Sequence, residues 1–503
     1  MRPIRPRSRP AIALAATVAV AGTAVLTSAL AAHAATGCRV AYAVTSQWQG
    51  GFGASVDVTN LGDAVTSWKL TWSFTAGQTI NQLWNGTVSQ SGAAVTVTNA
   101  GWNGGIGNGA TTNVGFQATW NNSSNPVPGD FALNGVACTG ASAPTSAPTS
   151  SPTTTSPTAN VLDQVNTVGR LRAVTSGVQF TWPGTYFEGR FRGTGVGLVL
   201  NDSNNDYAVQ VDDAAAVNVV TPGQTTYWVR DLAAGDHTVR LAKRTESPWA
   251  AGEFDGLVPV DGGAILAKPA ARTRQMEFIG DSWTAGYGDM STSRDCNSNG
   301  GVTRNTNADV SFGALTAKGF NADYQINAWS GMGMVRNYGG QNTDYNFIAT
   351  YYPTDLQALY NSQTWQVPST WKPQVVVIGM GINDFSTALT AGEKWTTIDA
   401  LAADYRTAYL AFIDKLRTRY GANTDIILTY PDLSYQTTAF ADSVQQIVKT
   451  RNDAGDTHVS SLYYDNNALG MDLLGCDWHP SQHDHQILAD TLTKFIRTLS
   501  PTW

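Results

Sequence analysis

Charge is scarce in this chain: Asp, Glu, Lys and Arg together make up 14% of 503 residues. What charge there is runs negative, at -7 overall, and removing the leading Arg2, Arg5, Arg7 and Arg9 takes the balance to -11. Such a surface repels phosphate backbones, which excludes nucleic acid as a partner. Cysteine is limited to four residues, none in Cys-x-x-Cys spacing, and no His-Glu-x-x-His occurs, so neither common zinc pattern is present. Long apolar runs are limited to "AIALAATVAVAGTAVLTSAL", which follows the four arginines and leads to Ala32-His33-Ala34. That is the pattern of a signal peptide over residues 1–34, cut after Ala34, and an uncleaved anchor is the rival. No other segment is apolar enough to span a membrane.

Aromatic residues are plentiful, with 16 tryptophans and 18 tyrosines, and turn formers abound. The composition is that of an exported protein suited to sugar recognition, and four cysteines in an oxidising compartment imply disulfides. A break falls at "GASAPTSAPTSSPTTTSPTAN". Almost wholly Pro, Ser, Thr and Ala, it cannot build a core and reads as a semi-rigid linker over 141–160. Residues 35–140 before it carry strand-like alternation. In "SWKLTWSF", Trp68, Leu70, Trp72 and Phe74 share one face, so the segment is expected to be a half-buried strand of a β-sandwich with Trp68 and Trp72 in its core. Cys38 and Cys138 stand near the ends of this domain, and a bridge between them would close a loop worth about 4–5 kcal/mol in the chain-entropy picture.

After the linker, residues 161–268 again read as β, with nothing catalytic in view. From there to residue 503 the pattern changes: "MEFIG", "YQINAWSG", "QVVVIGMG" and "DIILTYPD" are short apolar strands alternating with helical stretches. This implies an α/β domain with a mostly parallel sheet. Open parallel sheets place their sites at the carboxyl ends of the strands. There the chain supplies Gly280-Asp281-Ser282, Ser330-Gly331-Met332-Gly333, Gly381-Ile382-Asn383-Asp384 and Pro431-Asp432, with Asp477 and His479 in "GCDWHP" before a last amphipathic helix.

The four blocks in this order resemble the SGNH (GDSL-like) hydrolase superfamily from Met276 to the C-terminus. The Asp477-x-His479 spacing departs from that superfamily's usual Asp-x-x-His and is similar to carbohydrate esterase family 2, whose β jelly-roll partner domain matches residues 161–268. The resemblance implies Ser282 as nucleophile, His479 as general base and Asp477 as the acid that orients it. Asp432 is the competing acid, and a Ser-His pair alone suffices in some members. It also implies an oxyanion hole from the Ser282 and Gly331 N–H groups and the Asn383 amide, and a Cys296–Cys476 disulfide that rigidifies the loop carrying the base. No metal or organic cofactor is called for. Asp281 is expected to be structural, Gly280 to permit a tight turn, and Trp283 either to line the acyl pocket or to pack beneath the nucleophile. Ser481 and Asp484 read as a capping box, which makes His483 and His485 solvent-facing first-turn residues.

Three tryptophans fall outside strand alternation, in "SQWQGGF", "NQLWNGTV" and "AGWNGGIGNG". Trp48, Trp84 and Trp102 are therefore expected on the surface, where indole faces can stack on sugar rings. With the flanking cysteines and the linker, residues 35–140 resemble a family 2 carbohydrate-binding module, which implies a cellulose or xylan surface as ligand. The combined expectation is a secreted, monomeric serine esterase that removes acetyl groups from acetylxylan or acetyl-glucomannan, with the 6-hydroxyl ester of hexoses as a favoured position. The rivals are a lipase or lysophospholipase on the same fold, a non-catalytic binding protein, and a glycosidase using Asp281 and Asp384.

Overall fold

In the computed structural model the described residues are 37–139 and 161–503, apart from 49, 102, 344, 360, 361, 434, 436 and 500. The expected signal peptide and linker lie outside them. The chain divides into two compact units, Met1–Thr154 and Thr155–Trp503.

The first unit is all-β. One antiparallel sheet joins Cys38–Trp48, Gly51–Asn60, Thr111–Thr119 and Thr79–Trp84; the other joins Gly86–Ser91, Ala94–Asn99, Lys69–Ser73, Ala132–Leu133 and Val136–Ala137. Alternation places Leu70 and Trp72 inward together with the flanking Trp68 and Phe74, and all four are buried. They meet Val56, Val58 and Phe116 from the facing sheet in one core. The Cys38–Cys138 disulfide closes the sandwich across its ends, with a Cα separation of 4.5 Å.

The second unit opens with a two-sheet antiparallel sandwich. Its sheets contribute Phe187, Phe191 and Leu241 on one side and Phe180, Leu198, Leu200 and Phe254 on the other to a single core. The α/β part follows. Its strands β1 (Gln275–Gly280), β2 (Asp323–Ala328), β3 (Val375–Gly379), β4 (Asp425–Pro431) and β5 (Val459–Tyr464) form one sheet in the order β2-β1-β3-β4-β5, every pairing parallel. Helices α1 (Ser282–Ala285), α2 (Phe312–Gly319), α3 (Ile382–Phe385), α4 (Ile398–Tyr420), α5 (Thr437–Asp453) and α6 (Gln482–Leu499) accompany it.

The β-branched run of β3 is buried on both faces because helices cover both. Ile279, Val376, Ile378, Ile426 and Leu428 point to one core with α4 and α5, while Phe278, Val375, Val377 and Ile427 point to another with α2 and α6. Period-two alternation thus splits each strand between two helical layers. The order reverses between β1 and β3, and such a switch point opens a crevice at the strands' carboxyl ends.

Buried charge joins the sandwich to the α/β part. Arg170 is fully buried, with its guanidinium over the rings of Trp182, Tyr352 and Trp365 at 4.8, 4.5 and 4.4 Å. It donates to Glu277 of β1 at 3.3 Å, and that carboxylate also accepts from Asn327 at 2.6 Å and from the Tyr352 hydroxyl at 2.8 Å. Around it Arg172–Asp355, Arg240–Asp309 and Arg272–Glu188 are forked pairs. Removing one partner of a buried pair strands the other charge, at about 3–5 kcal/mol. Arg170→Ala is therefore expected to lower the stability of the esterase unit by about that amount, read as loss of esterase activity along a urea titration. An unchanged midpoint would show that Glu277 is neutralised without Arg170.

Candidate active site

β1 delivers the nucleophile candidate directly into α1. Asp281 caps this helix, its carboxylate accepting the Trp283 N–H at 3.1 Å, and Ser282 is the first helical residue. Gly280 is required by space and not by a turn: a Cβ there would lie 2.1 Å from the Thr284 hydroxyl, whereas its φ is not positive. Trp283 packs, half-buried, against the core shared with α2 and α6.

Ser282 Oγ lies 2.8 Å from His479 Nε2, although the two are 197 residues apart in the chain. The other ring nitrogen, Nδ1, donates to the carbonyl of Cys476 at 2.9 Å. A carbonyl can only accept, so Nδ1 carries the proton and Nε2 is left bare to receive one from serine. Burial lowers the His479 pKa, which keeps the imidazole neutral, with Nε2 unprotonated and open to a proton.

The expectation that Asp477 orients His479 is corrected here. Its carboxylate accepts from the Tyr287 hydroxyl at 2.9 Å, and the Tyr287 ring lies 4.4 Å from the imidazole. Asp477 and Trp478 both have left-handed backbones, with φ of 52° and 67°, and both side chains are exposed. That turn puts the Cys476 carbonyl, and not the Asp477 carboxylate, beneath the ring. Asp432 does not replace it, since its carboxylate is engaged by the Tyr463 hydroxyl and the Asn466 N–H.

The base loop is held from three sides. The Cys296–Cys476 disulfide forms as the resemblance implies. The Cys476 N–H donates to Gly288 at 3.2 Å and the Asp477 N–H to Arg294 at 2.9 Å. Gly288 has no room for a side chain, as a Cβ would lie 2.3 Å from that of Cys476. The Arg294 guanidinium grips the Leu473 and Asp472 carbonyls and lies 3.6 Å over the Trp478 ring. From the other direction the Asp484 carboxylate accepts the Asp472, Leu473 and Ser481 N–H groups, and the Asp484 N–H reaches Ser481 Oγ, which completes the capping box.

The oxyanion candidates converge on the same edge. Gly331, at φ 79°, and Ser282 have backbone N–H groups with no acceptor among the described residues. Asn383, buried in α3, points its amide nitrogen to the Met332 carbonyl at 2.8 Å and to Asp281 at 3.2 Å. The longer contact is the weaker one, and it is the donor that a developing oxyanion could claim. Asp384 accepts three consecutive N–H groups, from Met334, Val335 and Arg336, at 2.8, 2.8 and 2.9 Å. It is the clamp of the loop that carries Gly331. Asp281 and Asp384 are both fully buried and occupied by such contacts, so they cannot reach a glycosidic bond.

Two residues were not legible as parts of this site. Glu246, from the domain in which nothing looked catalytic, accepts the Ser330 N–H at 2.6 Å and the Ser330 hydroxyl, beside Gly331. Nearby Trp249 is 60% exposed and its ring contacts Trp329 at 5.1 Å. The histidine assignment needs one correction: His483 is solvent-facing, but His485 is fully buried. At i, i+3, i+4 and i+7 it shares the face of Leu488, Ala489 and Leu492, where its Nδ1 accepts the Phe312 N–H at 3.0 Å and burial pushes its pKa down to about 3.

In the first unit Trp84 is exposed, as expected, at 44%. Its indole covers Gly115, its partner in register, where a Cβ would come within 2.1 Å of Nε1. The side chain of Trp48 and the whole of Trp102 lie outside the described residues.

Two outcomes follow from this geometry. Asp477→Asn is expected to cost less than about tenfold in kcat, against the roughly ten-thousand-fold typical when a bonded triad acid is removed; a loss of the larger size would restore Asp477 as the orienting acid. Full burial, with Asp384 and Glu246 nearby, pushes Asp281 up to about 8. Between the ordinary carboxylate range and that value the folded chain holds a proton that the unfolded chain has lost, so stability falls as pH rises through this window, by up to about 1.4 kcal/mol per pH unit. Asp281→Asn should flatten the fall of melting temperature between pH 5 and 8, and an unaltered slope would contradict it.

Residues 38–138 match the family model described as a cellulose binding domain, residues 167–269 that of the carbohydrate esterase 2 N-terminal domain, and residues 276–492 that of the GDSL-like lipase/acylhydrolase. An acetylxylan esterase / glucomannan deacetylase of Cellvibrio japonicus is 41% identical over 324 residues, covering 64% of this chain and 86% of that protein. The cellulase/esterase CelE of Acetivibrio thermocellus is 31% identical over 330 residues, which is 64% of this chain but only 38% of that longer protein. Among solved structures, a family two carbohydrate esterase from Clostridium thermocellum in complex with cellohexaose superposes with a TM-score of 0.58 at 31% identity, covering 67% of this chain and 98% of that one. A family model for each domain in turn, and a relative matched over most of its length, agree with the fold: the chain belongs to carbohydrate esterase family 2 and carries a cellulose-binding domain on the N-terminal side of its esterase.

Proposed function

We propose that the chain is an exported, monomeric serine esterase that removes O-acetyl groups from acetylxylan and acetyl-glucomannan, with Ser282 as nucleophile, His479 as general base, and Trp48, Trp84 and Trp102 as the sugar-stacking strip of the cellulose-binding domain. The observation that carries this reading is the 2.8 Å contact between Ser282 Oγ and a histidine whose other nitrogen is committed to a carbonyl. The likeness to an acetylxylan esterase / glucomannan deacetylase supports the substrate class.

In the first step Oγ attacks the acetyl carbonyl carbon as Nε2 takes the hydroxyl proton. Negative charge develops on the carbonyl oxygen, facing the Ser282 and Gly331 N–H groups and the Asn383 amide. Collapse of the tetrahedral species breaks the ester C–O bond, and Nε2–H passes its proton to the departing sugar oxygen. Water then attacks the acetyl-serine with His479 again as base, releasing acetate and restoring the hydroxyl. With Nδ1–H on the Cys476 carbonyl, the imidazolium formed in each half-reaction is held in one orientation, with the exposed Asp477 carboxylate near enough to favour its charge.

Proton NMR of acetylated xylan and glucomannan during digestion tests the reading. Loss of polymer acetyl signals and growth of free acetate, without chain shortening, is expected, and Ser282→Ala should lower the rate by roughly a million-fold. Faster cleavage of long-chain than of acetyl esters would favour the lipase alternative. Equal acetate release by parent and Ser282→Ala would remove the nucleophile and leave a binding protein.

A further inference from the structure

Beyond Gly331 the oxyanion loop runs on to form one wall of a cavity of about 370 Å³ that no step above uses. Its other wall is the segment from Thr390 to Trp395. The volume lies at the lower end of small-molecule sites, roughly 300–1,000 Å³. It is also close to the chemistry: Gly333, in its wall, is two residues from Gly331 and so at most about 7 Å away along the chain.

The walls say what could occupy it. Its two cations both have acidic neighbours, but only the first is buried. The Arg336 guanidinium donates to the Glu393 carboxylate at 2.5 and 3.0 Å and spends its remaining donors on Asp384, Thr387 and Ala388. Lys394 is 2.7 Å from Asp404 and lies over the Trp395 ring. An anionic ligand therefore finds the guanidinium occupied and, among the described residues of the walls, only the exposed Lys394 already beside Asp404. What remains is uncharged: the exposed Gln341 and Thr343, whose side chains have no hydrogen-bond partner among the described residues, and the partly exposed ring of Tyr345. Tyr345 in turn contacts Trp329 at 6.0 Å, and Trp329 contacts the exposed Trp249. Aromatic side chains thus extend without a break from the neighbour of Ser330 to the cavity.

We infer that this cavity is a second carbohydrate subsite of the esterase domain, taking an uncharged pyranose unit of the polymer whose acetyl ester lies at Ser282. Hydroxyl and amide groups would meet the sugar hydroxyls and the Tyr345 ring its C–H face. The inference rests on the proposed deacetylase activity and adds a preference for polymeric over small acetyl esters.

The test compares parent, Tyr345→Ala and Ala391→Trp, the last filling the cavity from the opposite wall, on acetylated xylo- and manno-oligosaccharides and on 4-nitrophenyl acetate. The expected result is a KM for oligosaccharides raised about three- to tenfold in both variants, with kcat/KM on 4-nitrophenyl acetate unchanged. An unchanged oligosaccharide KM overturns the subsite, as does better cleavage of glucuronate-bearing than of neutral oligosaccharides. If Tyr345→Ala lowers both substrates alike, Ala391→Trp decides, and an equal loss there too overturns the proposal. Failure of the parent to release acetate from any oligosaccharide is a different result, which sinks the deacetylase reading itself.

Discussion

The hydrogen bond from His479 Nδ1 to the Cys476 carbonyl is the contact on which the rest of the site depends. It selects the tautomer, sets the plane of the ring, and so decides whether Nε2 faces Ser282. A backbone carbonyl can do this only if the backbone is immobile, and here it is. The disulfide, the Arg294 grip, the closely packed Gly288 and the Asp484 cap each restrain the same short loop. Two consecutive left-handed residues, which cost about 1–3 kcal/mol each, persist because these restraints over-determine the turn.

The same economy governs the carboxylates. In many hydrolases a buried acid beside the base tunes it, but here the buried acids hold main chain. Asp281 caps α1, Asp384 gathers three N–H groups of the oxyanion loop, and Asp484 gathers three at the base loop. Asp281 and Asp384 sit where loops leave the sheet, and Asp484 in the first turn of the last helix, places where backbone donors would otherwise lack partners. Glu246 extends the pattern across the domain boundary, since it anchors Ser330 from the sandwich. That domain is thus part of the catalytic body. Arg170, sealed among three aromatic rings and paired with Glu277 in β1, ties it to the strand that ends at the nucleophile.

Much of this was legible in the sequence. The β-branched run of β3 announced a strand covered on both faces, and the alternation of Trp68, Leu70, Trp72 and Phe74 announced the core of a sandwich, because burial imposes a period that side chains must obey. Ser282, Gly331, Asn383 and His479 each follow the end of a strand or precede the last helix, the places where a parallel sheet gathers its loops. Both disulfides followed from cysteine position and from resemblance. The capping box fixes His485 in the first turn of the last helix but not on a face; its spacing to Leu488 and Leu492 is what puts it on the buried one.

What the sequence by itself determined is therefore the set of elements, their layering, and the identity of the nucleophile and base candidates, since these depend on local periodicity and on motif order. The partner of the imidazole, the employment of Asp281, Asp384 and Asp477, the entry of Glu246 from another domain and the cavity beside the oxyanion loop were decided by tertiary structure alone. The reason is physical: each depends on the direction of a carbonyl, a carboxylate or a loop wall relative to groups far away in the chain. Two backbone angles at Asp477 and Trp478, which no residue pattern announces, were enough to exchange a carboxylate for a carbonyl beneath His479.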